Sequence, residues 1–68
     1  MQRSVKVSIR RGERLFVAEC ADIPVVTQGA TVDETIQNAR QAVALFFEDE
    51  DPADYGFAAD HTPLIDTN

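Results

Sequence analysis

The sequence has few of the residues that stabilise or functionalise a very small protein. Its 68 residues include one cysteine, Cys20, one histidine, His61, and no tryptophan. One cysteine cannot form an intramolecular disulfide, and no cysteine–histidine cluster predicts structural zinc. A domain of this length buries only about 60% of the surface that its unfolded chain exposes. We therefore expect oligomerisation to provide the stability that the small core lacks.

Long apolar runs are also missing from the sequence. No segment is both apolar and long enough to span a bilayer. The first residues lead into an alternating pattern and not into the apolar run of a signal peptide. Together with the single thiol, these features predict a protein of the reducing cytoplasm.

Basic residues are scarce, and most of them lie near the start of the chain. Twelve acidic residues outnumber six basic ones, so the net charge is −6. Five of the basic residues lie within positions 1–14, and Arg40 is the only one that follows. A duplex-binding surface must neutralise several phosphates, which a chain this acidic would repel. We therefore expect no nucleic-acid partner for the protein alone, and a basic protein partner instead.

Groups that could carry out catalysis are sparse and dispersed. The glycines are too far apart to form a phosphate-binding loop. Cys20 lies among apolar residues and is predicted to be a buried structural thiol. Asp60, His61 and Asp66 could form at most a weak two-carboxylate metal site, and no ligand spacing supports one. The sequence therefore predicts neither an enzyme nor a bound metal or cofactor.

The first half of the chain predicts three strands. Apolar and polar residues alternate over 4–10, as in a half-buried strand. The link 11–13 includes Gly12, which is free to adopt a positive φ, and a second strand over 14–20 completes a hairpin. This strand is apolar on both faces, so it is predicted to be central or covered by another subunit. A third strand over 25–28 extends an antiparallel meander.

A helix over 32–49 is the clearest element. Thr31 and Glu34 match a capping box, in which the Thr31 hydroxyl accepts from the Glu34 amide and the Glu34 carboxylate reaches the Thr31 amide. One apolar stripe follows. It consists of Val32, Ile36, Ala39, Val43, Phe46 and Phe47.

The last part of the chain is predicted to be less regular. Residues 48–54 form an acidic connector in which Pro52 stops the helix. In the tail over 55–68, residues 55–57 are expected to fold back over the core, and 63–66 to add an edge strand. The fold class is thus α+β, a single domain over residues 1–68 with a three- to four-stranded antiparallel sheet and one packed helix in the order β-β-β-α-β.

Two charged segments are the candidate partner-binding sites. They are the hairpin tip, with Arg10, Arg11 and Arg14, and the acidic run with Glu48, Asp49, Glu50 and Asp51. The simpler interpretation of the hairpin tip is a charged turn that discourages edge aggregation. For the acidic run it is a solvated connector.

Four short motifs in residues 16–35 resemble the HicB-like antitoxin family. They are Phe16-Val17-Ala18, Asp22-Ile23-Pro24, Thr27-Gln28-Gly29-Ala30-Thr31 and Asp33-Glu34-Thr35. The resemblance implies a partly degraded ribonuclease-H-like sheet, self-association, and capture of a small basic HicA-type toxin that cleaves RNA. Many members also carry a DNA-binding module, which we do not expect here because no second helical pattern follows the helix. The alternatives are an orphan dimerisation module and, less favoured, a residual nuclease.

Overall fold

The structure is a computed structural model that describes residues 4–58 and 63–67. Its elements follow the predicted β-β-β-α-β order, which confirms the α+β class. They are β1 (Ser4–Arg11), β2 (Phe16–Cys20), β3 (Val26–Gly29), α1 (Val32–Asp49), a 3-10 helix (Pro52–Tyr55) and β4 (Leu64–Thr67). None of the helices in the described ranges is long and apolar enough to cross a membrane.

The four strands form one mixed sheet in the order β3-β2-β1-β4. The first three strands make the predicted antiparallel meander, and β2 is an inner strand as expected. The prediction of a wholly antiparallel sheet was wrong, because β4 pairs with β1 in parallel. The physical reason is the intervening helix, which returns the chain to the end of the sheet where β1 begins. A strand that starts there runs in the same direction as β1.

The sheet buries one face against the helix. Val7 pairs with Cys20 and Ile9 with Ala18, so these side chains share one face. Val7, Ala18 and Cys20 are buried, together with Val5. The opposite face carries mainly polar side chains. On that face Val17 is half-buried within the single chain. Contact with another subunit is therefore not required for its partial burial.

The helix begins and ends where the pattern predicts. Thr31 Oγ1 accepts a hydrogen bond from the Glu34 amide at 3.0 Å. The second hydrogen bond of the predicted capping box differs. The Glu34 carboxylate accepts from the Ala30 amide at 3.3 Å, and not from the Thr31 amide. Thr35, Ala39 and Val43 are the buried residues of α1. Phe46 and Phe47, the last two residues of the predicted stripe, are only half-buried.

The helix lies close to β3 and runs antiparallel to it. A Cβ added to Gly29 would lie 2.7 Å from the Thr35 backbone nitrogen. One turn further on, Asn38 Nδ2 donates to the Gln28 carbonyl at 2.8 Å. Gly29 is thus required for close approach of the backbones. Gly12 does not use its freedom to adopt a positive φ, since Gly56 alone does so among the described residues.

The chain after the helix is folded onto the core where the structure describes it. The Asp51 carboxylate accepts from the Ala53 amide at 2.9 Å and so caps the 3-10 helix. Gly56 then turns the chain with φ 86°. Phe57 follows and is 1% exposed. The prediction that residues 55–57 fold over the core is confirmed. The connector predicted over 48–54 is partly helical, because the 3-10 helix begins at Pro52.

Candidate partner-binding surfaces

The hairpin tip presents three arginines but does not gather them on one face. The Gly12 amide donates to the Leu15 carbonyl at 2.7 Å and closes the turn. Arg10, Arg11 and Arg14 are all exposed. Because neighbouring side chains on a strand point to opposite faces, Arg10 and Arg11 diverge. The tip is therefore a dispersed cationic rim.

The two predicted charged segments lie at opposite ends of the molecule. α1 begins near the hairpin tip, since Gly29, at the end of β3, is paired with Phe16 at the start of β2. An 18-residue helix is about 27 Å long, and the longest dimension of the molecule is 36 Å. The helix thus carries the acidic run away from the arginines, and the two segments cannot form one site within a single copy.

The four predicted acidic residues divide into two kinds. Glu50 accepts a hydrogen bond from the Tyr55 hydroxyl at 2.9 Å, and Asp51 caps the 3-10 helix. These two carboxylates therefore have structural roles that sequence reasoning missed. Glu48 and Asp49 are exposed in the last turn of α1, which has no basic residue. They oppose the helix dipole, and a cation at this end would relieve that repulsion.

An aromatic cluster that sequence reasoning did not predict adjoins these acids. Phe46 contacts Phe47 and Tyr55 edge to face, with ring centroids 5.1 and 5.2 Å apart. Phe47 also packs against Tyr55 and Phe57, with centroids 6.1 and 6.0 Å apart. Phe46, Phe47 and Tyr55 remain half-buried. The signal in the sequence was the presence of aromatic pairs on both sides of the Pro52 turn.

The hydrogen bond to Glu50 defines the chemistry of Tyr55. This bond raises the pKa of the phenol above 10, with further contributions from desolvation and from the negative charges of Glu50 and Asp54. Neutral Tyr55 donates to the carboxylate, whereas the phenolate would be repelled by it.

We predict that Tyr55 ionises at a higher pH in the folded protein than in urea-unfolded protein. Because the folded pKa is the higher one, this interaction stabilises the fold below about pH 10, the unfolded value. The contribution is lost as pH rises through the folded pKa. Ultraviolet absorbance titration of the phenolate measures both values. Glu50→Gln should lower the folded value, whereas the exposed Glu19→Gln should not. Equal pKa values in folded wild type and Glu50→Gln would contradict this account.

Cys20 is buried, as predicted. Burial raises the pKa of its thiol, and the nearby charge of Asp22 raises it further. Both effects disfavour the thiolate, which is the nucleophilic form. The environment of Cys20 is that of a packed core side chain.

The weak metal site considered from the sequence cannot be assembled from the described residues. Asp60 and His61 lie outside the described ranges. Asp66 forms an ion pair with Lys6 at 3.0 Å on the exposed side of the sheet. Within residues 4–58 and 63–67, no group of three or more potential ligands is placed to hold a metal ion.

An open cleft lies between α1 and β4. It is lined by Arg40, Pro63, Leu64 and Ile65. Its wall is largely apolar and Arg40 provides one charge, so it differs in character from both predicted segments.

Comparisons of this chain with protein-family models, with curated proteins and with solved structures found no match. The HicB-like and ribonuclease-H-like resemblance therefore stays a prediction that rests on the motifs in residues 16–35.

Proposed function

We propose that this protein is a non-catalytic, antitoxin-like protein that binds a small basic HicA-type RNA-cleaving toxin and blocks its RNA-binding surface. The observation that carries the proposal is the end of the molecule where half-buried Phe46 and Tyr55 adjoin exposed Glu48 and Asp49. The motif resemblance supplies the class of partner. Since the target of such a toxin is RNA, the proposal also places the protein in the cytoplasm.

Aromatic groups beside carboxylates suit a partner rich in arginine and lysine. Guanidinium groups pack on aromatic faces and pair with carboxylates, so one basic side chain can use both. Aromatic anchors with a polar rim are also the usual anatomy of energetically important contacts. We expect the carboxylates mainly to accelerate association and the aromatic residues to prolong the complex.

The second candidate function is an orphan dimerisation module without a toxin. A specific observation favours it, because edge strand β3 has no charged side chain to discourage pairing with another copy. In either case we propose that the protein forms a homodimer or higher oligomer.

The test of the proposed function is co-expression with the short basic protein encoded by a neighbouring reading frame. The two proteins should co-purify, and growth arrested by the basic protein should be restored. Purified alone, the protein should neither cleave RNA nor bind duplex DNA in a salt-sensitive manner. Failure to bind or neutralise any toxin encoded beside it would refute the antitoxin proposal and favour the orphan module.

The kinetic prediction is that Glu48→Gln/Asp49→Asn slows association with the toxin several-fold at low salt. Exposed charges are screened over about 10 Å at 0.1 M salt, so the difference should shrink as salt rises. Glu50 and Asp51 are left intact because they have structural roles. The control Glu13→Gln/Glu19→Gln removes the same charge elsewhere and should have a smaller effect. Stopped-flow mixing measures association and dissociation separately. Equal association rates for the two double variants would contradict electrostatic attraction of the toxin by Glu48 and Asp49.

A further inference from the structure

Within residues 4–58 and 63–67, no strand pairs with the outer edge of β3. The Cys20 amide donates to the Val25 carbonyl at 3.0 Å, and this pair is in register with Ala18 and Thr27. Hydrogen-bonded pairs alternate along an antiparallel ladder, so Thr27 bonds to β2. The N–H and C=O groups of Val26 and Gln28 therefore face away from β2. The Gln28 carbonyl already accepts from Asn38, and its second lone pair remains available.

β3 itself contains no charged residue that would protect this edge. β3 consists of Val26, Thr27, Gln28 and Gly29, and Val26 is 61% exposed. Natural edge strands are commonly protected by lysine, proline or inward-pointing charge. β4, the other edge strand, follows Pro63 and contains the charged Asp66. The two edges therefore differ, and β3 is the one open to another strand.

The flank of α1 beside this edge is also uncharged at its centre. Asn38, Ala42 and Leu45 follow one another at spacings of four and three, so they lie along one side of the helix. The bond from Asn38 to Gln28 shows that this side faces the β3 edge. Leu45 is 58% exposed. An apolar and amide strip on the helix thus runs alongside the open strand.

We propose that β3 pairs with β3 of a second copy about a two-fold axis at Thr27, which makes the two sheets continuous. This inference rests on the self-association proposed above and names its surface. In this register Val26 and Gln28 of the second copy exchange two hydrogen bonds, and the symmetric pair exchanges two more. Thr27 of the two copies forms the non-hydrogen-bonded pair on the axis.

A second copy fits this surface because the surface is self-complementary. The same strand supplies outward donors and acceptors at the spacing that an antiparallel copy requires. A two-fold axis normal to the sheet also places both helices on the same face of the joined sheet, antiparallel to each other. Helices pack at about 8–10 Å, and the small Ala42 near the axis permits close approach. β3 has only 4 residues, so the interface should be small and the dimer weak and reversible.

The salt dependence of dimerisation should be opposite to that of toxin binding, because the dimer brings like charges together. Glu34 and Asp49 lie near the two ends of the same helix flank. Antiparallel helices bring Glu34 of one copy towards Asp49 of the other. This like-charge repulsion is screened as salt rises, so dimerisation should strengthen at higher salt. Association with a basic toxin through the acidic end should weaken.

The register is tested by disulfide cross-linking of cysteine variants under mild oxidation. Cβ atoms opposite each other in an antiparallel pair are about 4.5–5.5 Å apart, so Thr27→Cys should form a cross-linked dimer. A mixture of Val26→Cys and Gln28→Cys should form a mixed dimer, whereas Val26→Cys alone should cross-link much less. Mapping of the linked peptides excludes disulfides through Cys20. Absence of the Thr27 cross-link, or no preference for the mixed pair, would overturn the register.

Sedimentation tests the edge itself with matched variants. Val26→Lys and Leu64→Lys each add one charge at an exposed apolar residue of an edge strand, 61% and 68% exposed respectively. At about 100 μM, a concentration suited to a small interface, wild type and Leu64→Lys should sediment with a weight-average mass above the monomer. Val26→Lys should be monomeric with an unchanged circular dichroism spectrum. A monomeric wild type, or disruption by Leu64→Lys alone, would overturn the proposal. Toxin co-purification is measured separately, so either proposal can fail without the other.

Discussion

Phe57→Ala should reduce the free energy of unfolding by about 3–5 kcal/mol, the usual cost of truncating a buried phenylalanine. Phe57 follows the 3-10 helix in sequence and is 1% exposed. Its ring packs against that of Phe47 in α1. A domain of this size has a total stability of only about 5 kcal/mol. The variant should therefore keep only about 0–2 kcal/mol of stability at 25 °C, as measured by circular dichroism and urea titration.

Phe46→Ala is the matched control for this prediction. Phe46 is also aromatic and belongs to the same cluster, but it is half-buried. Because part of its surface is already in water, its truncation should cost clearly less than that of Phe57. Equal losses for the two variants would mean that the segment after α1 does not pack as described. Losses below about 1 kcal/mol at both positions would contradict the whole aromatic cluster.

Gly29→Ala should be the second severe change. The added Cβ would lie 2.7 Å from both the backbone nitrogen and the hydroxyl oxygen of Thr35, and 3.0 Å from its Cα. Two of these atoms belong to the helix backbone, so rotation of a side chain cannot relieve the contact. Overpacking of this kind costs about 1–3 kcal/mol, and urea titration should show a lower transition midpoint.

Gly56→Ala provides a contrast in mechanism. Its Cβ would meet nothing within 4 Å, but its φ of 86° is unfavourable for alanine, at a cost of about 1–2 kcal/mol. Thr35→Ala should partly rescue Gly29→Ala, because it removes the hydroxyl that the new methyl group meets. The same substitution should not rescue Gly56→Ala. Identical responses of the two glycine variants to Thr35→Ala would contradict the close approach of α1 to β3.

Local patterns were sufficient for the secondary structure. The alternation over residues 4–10 predicted β1, and the capping residues with the apolar spacing predicted α1 at the bounds 32–49 that the structure shows. These signals act over one or two turns or one strand, so they can be recognised without knowledge of the fold. The burial of Cys20 and the inner position of β2 followed from the same apolar patterns.

For the candidate surfaces, the sequence predicted individual charged residues but not the contacts between them. Sequence reasoning found Glu50 and Asp51 as charges but not their bonds to Tyr55 and to the Ala53 amide, since these depend on the turn that Pro52 begins. It placed Phe46 and Phe47 on the apolar stripe of α1, but it did not predict that Phe57 would be buried more deeply than either. Helical periodicity describes which side of α1 is apolar, but it does not reveal which aromatic ring the rest of the chain covers.

The sequence by itself determined the α+β class, the helix and its start, and the charge asymmetry along the chain. Tertiary structure decided the parallel pairing of β4 with β1, the burial of Phe57 and the separation of the arginine-rich tip from the acidic end. The physical reason is the separation in sequence of the residues that interact. Periodicity, capping and composition are local properties of the chain. Strand order and the packing of the final segment depend on contacts between residues far apart in sequence, which form only when the helix returns the chain across the sheet.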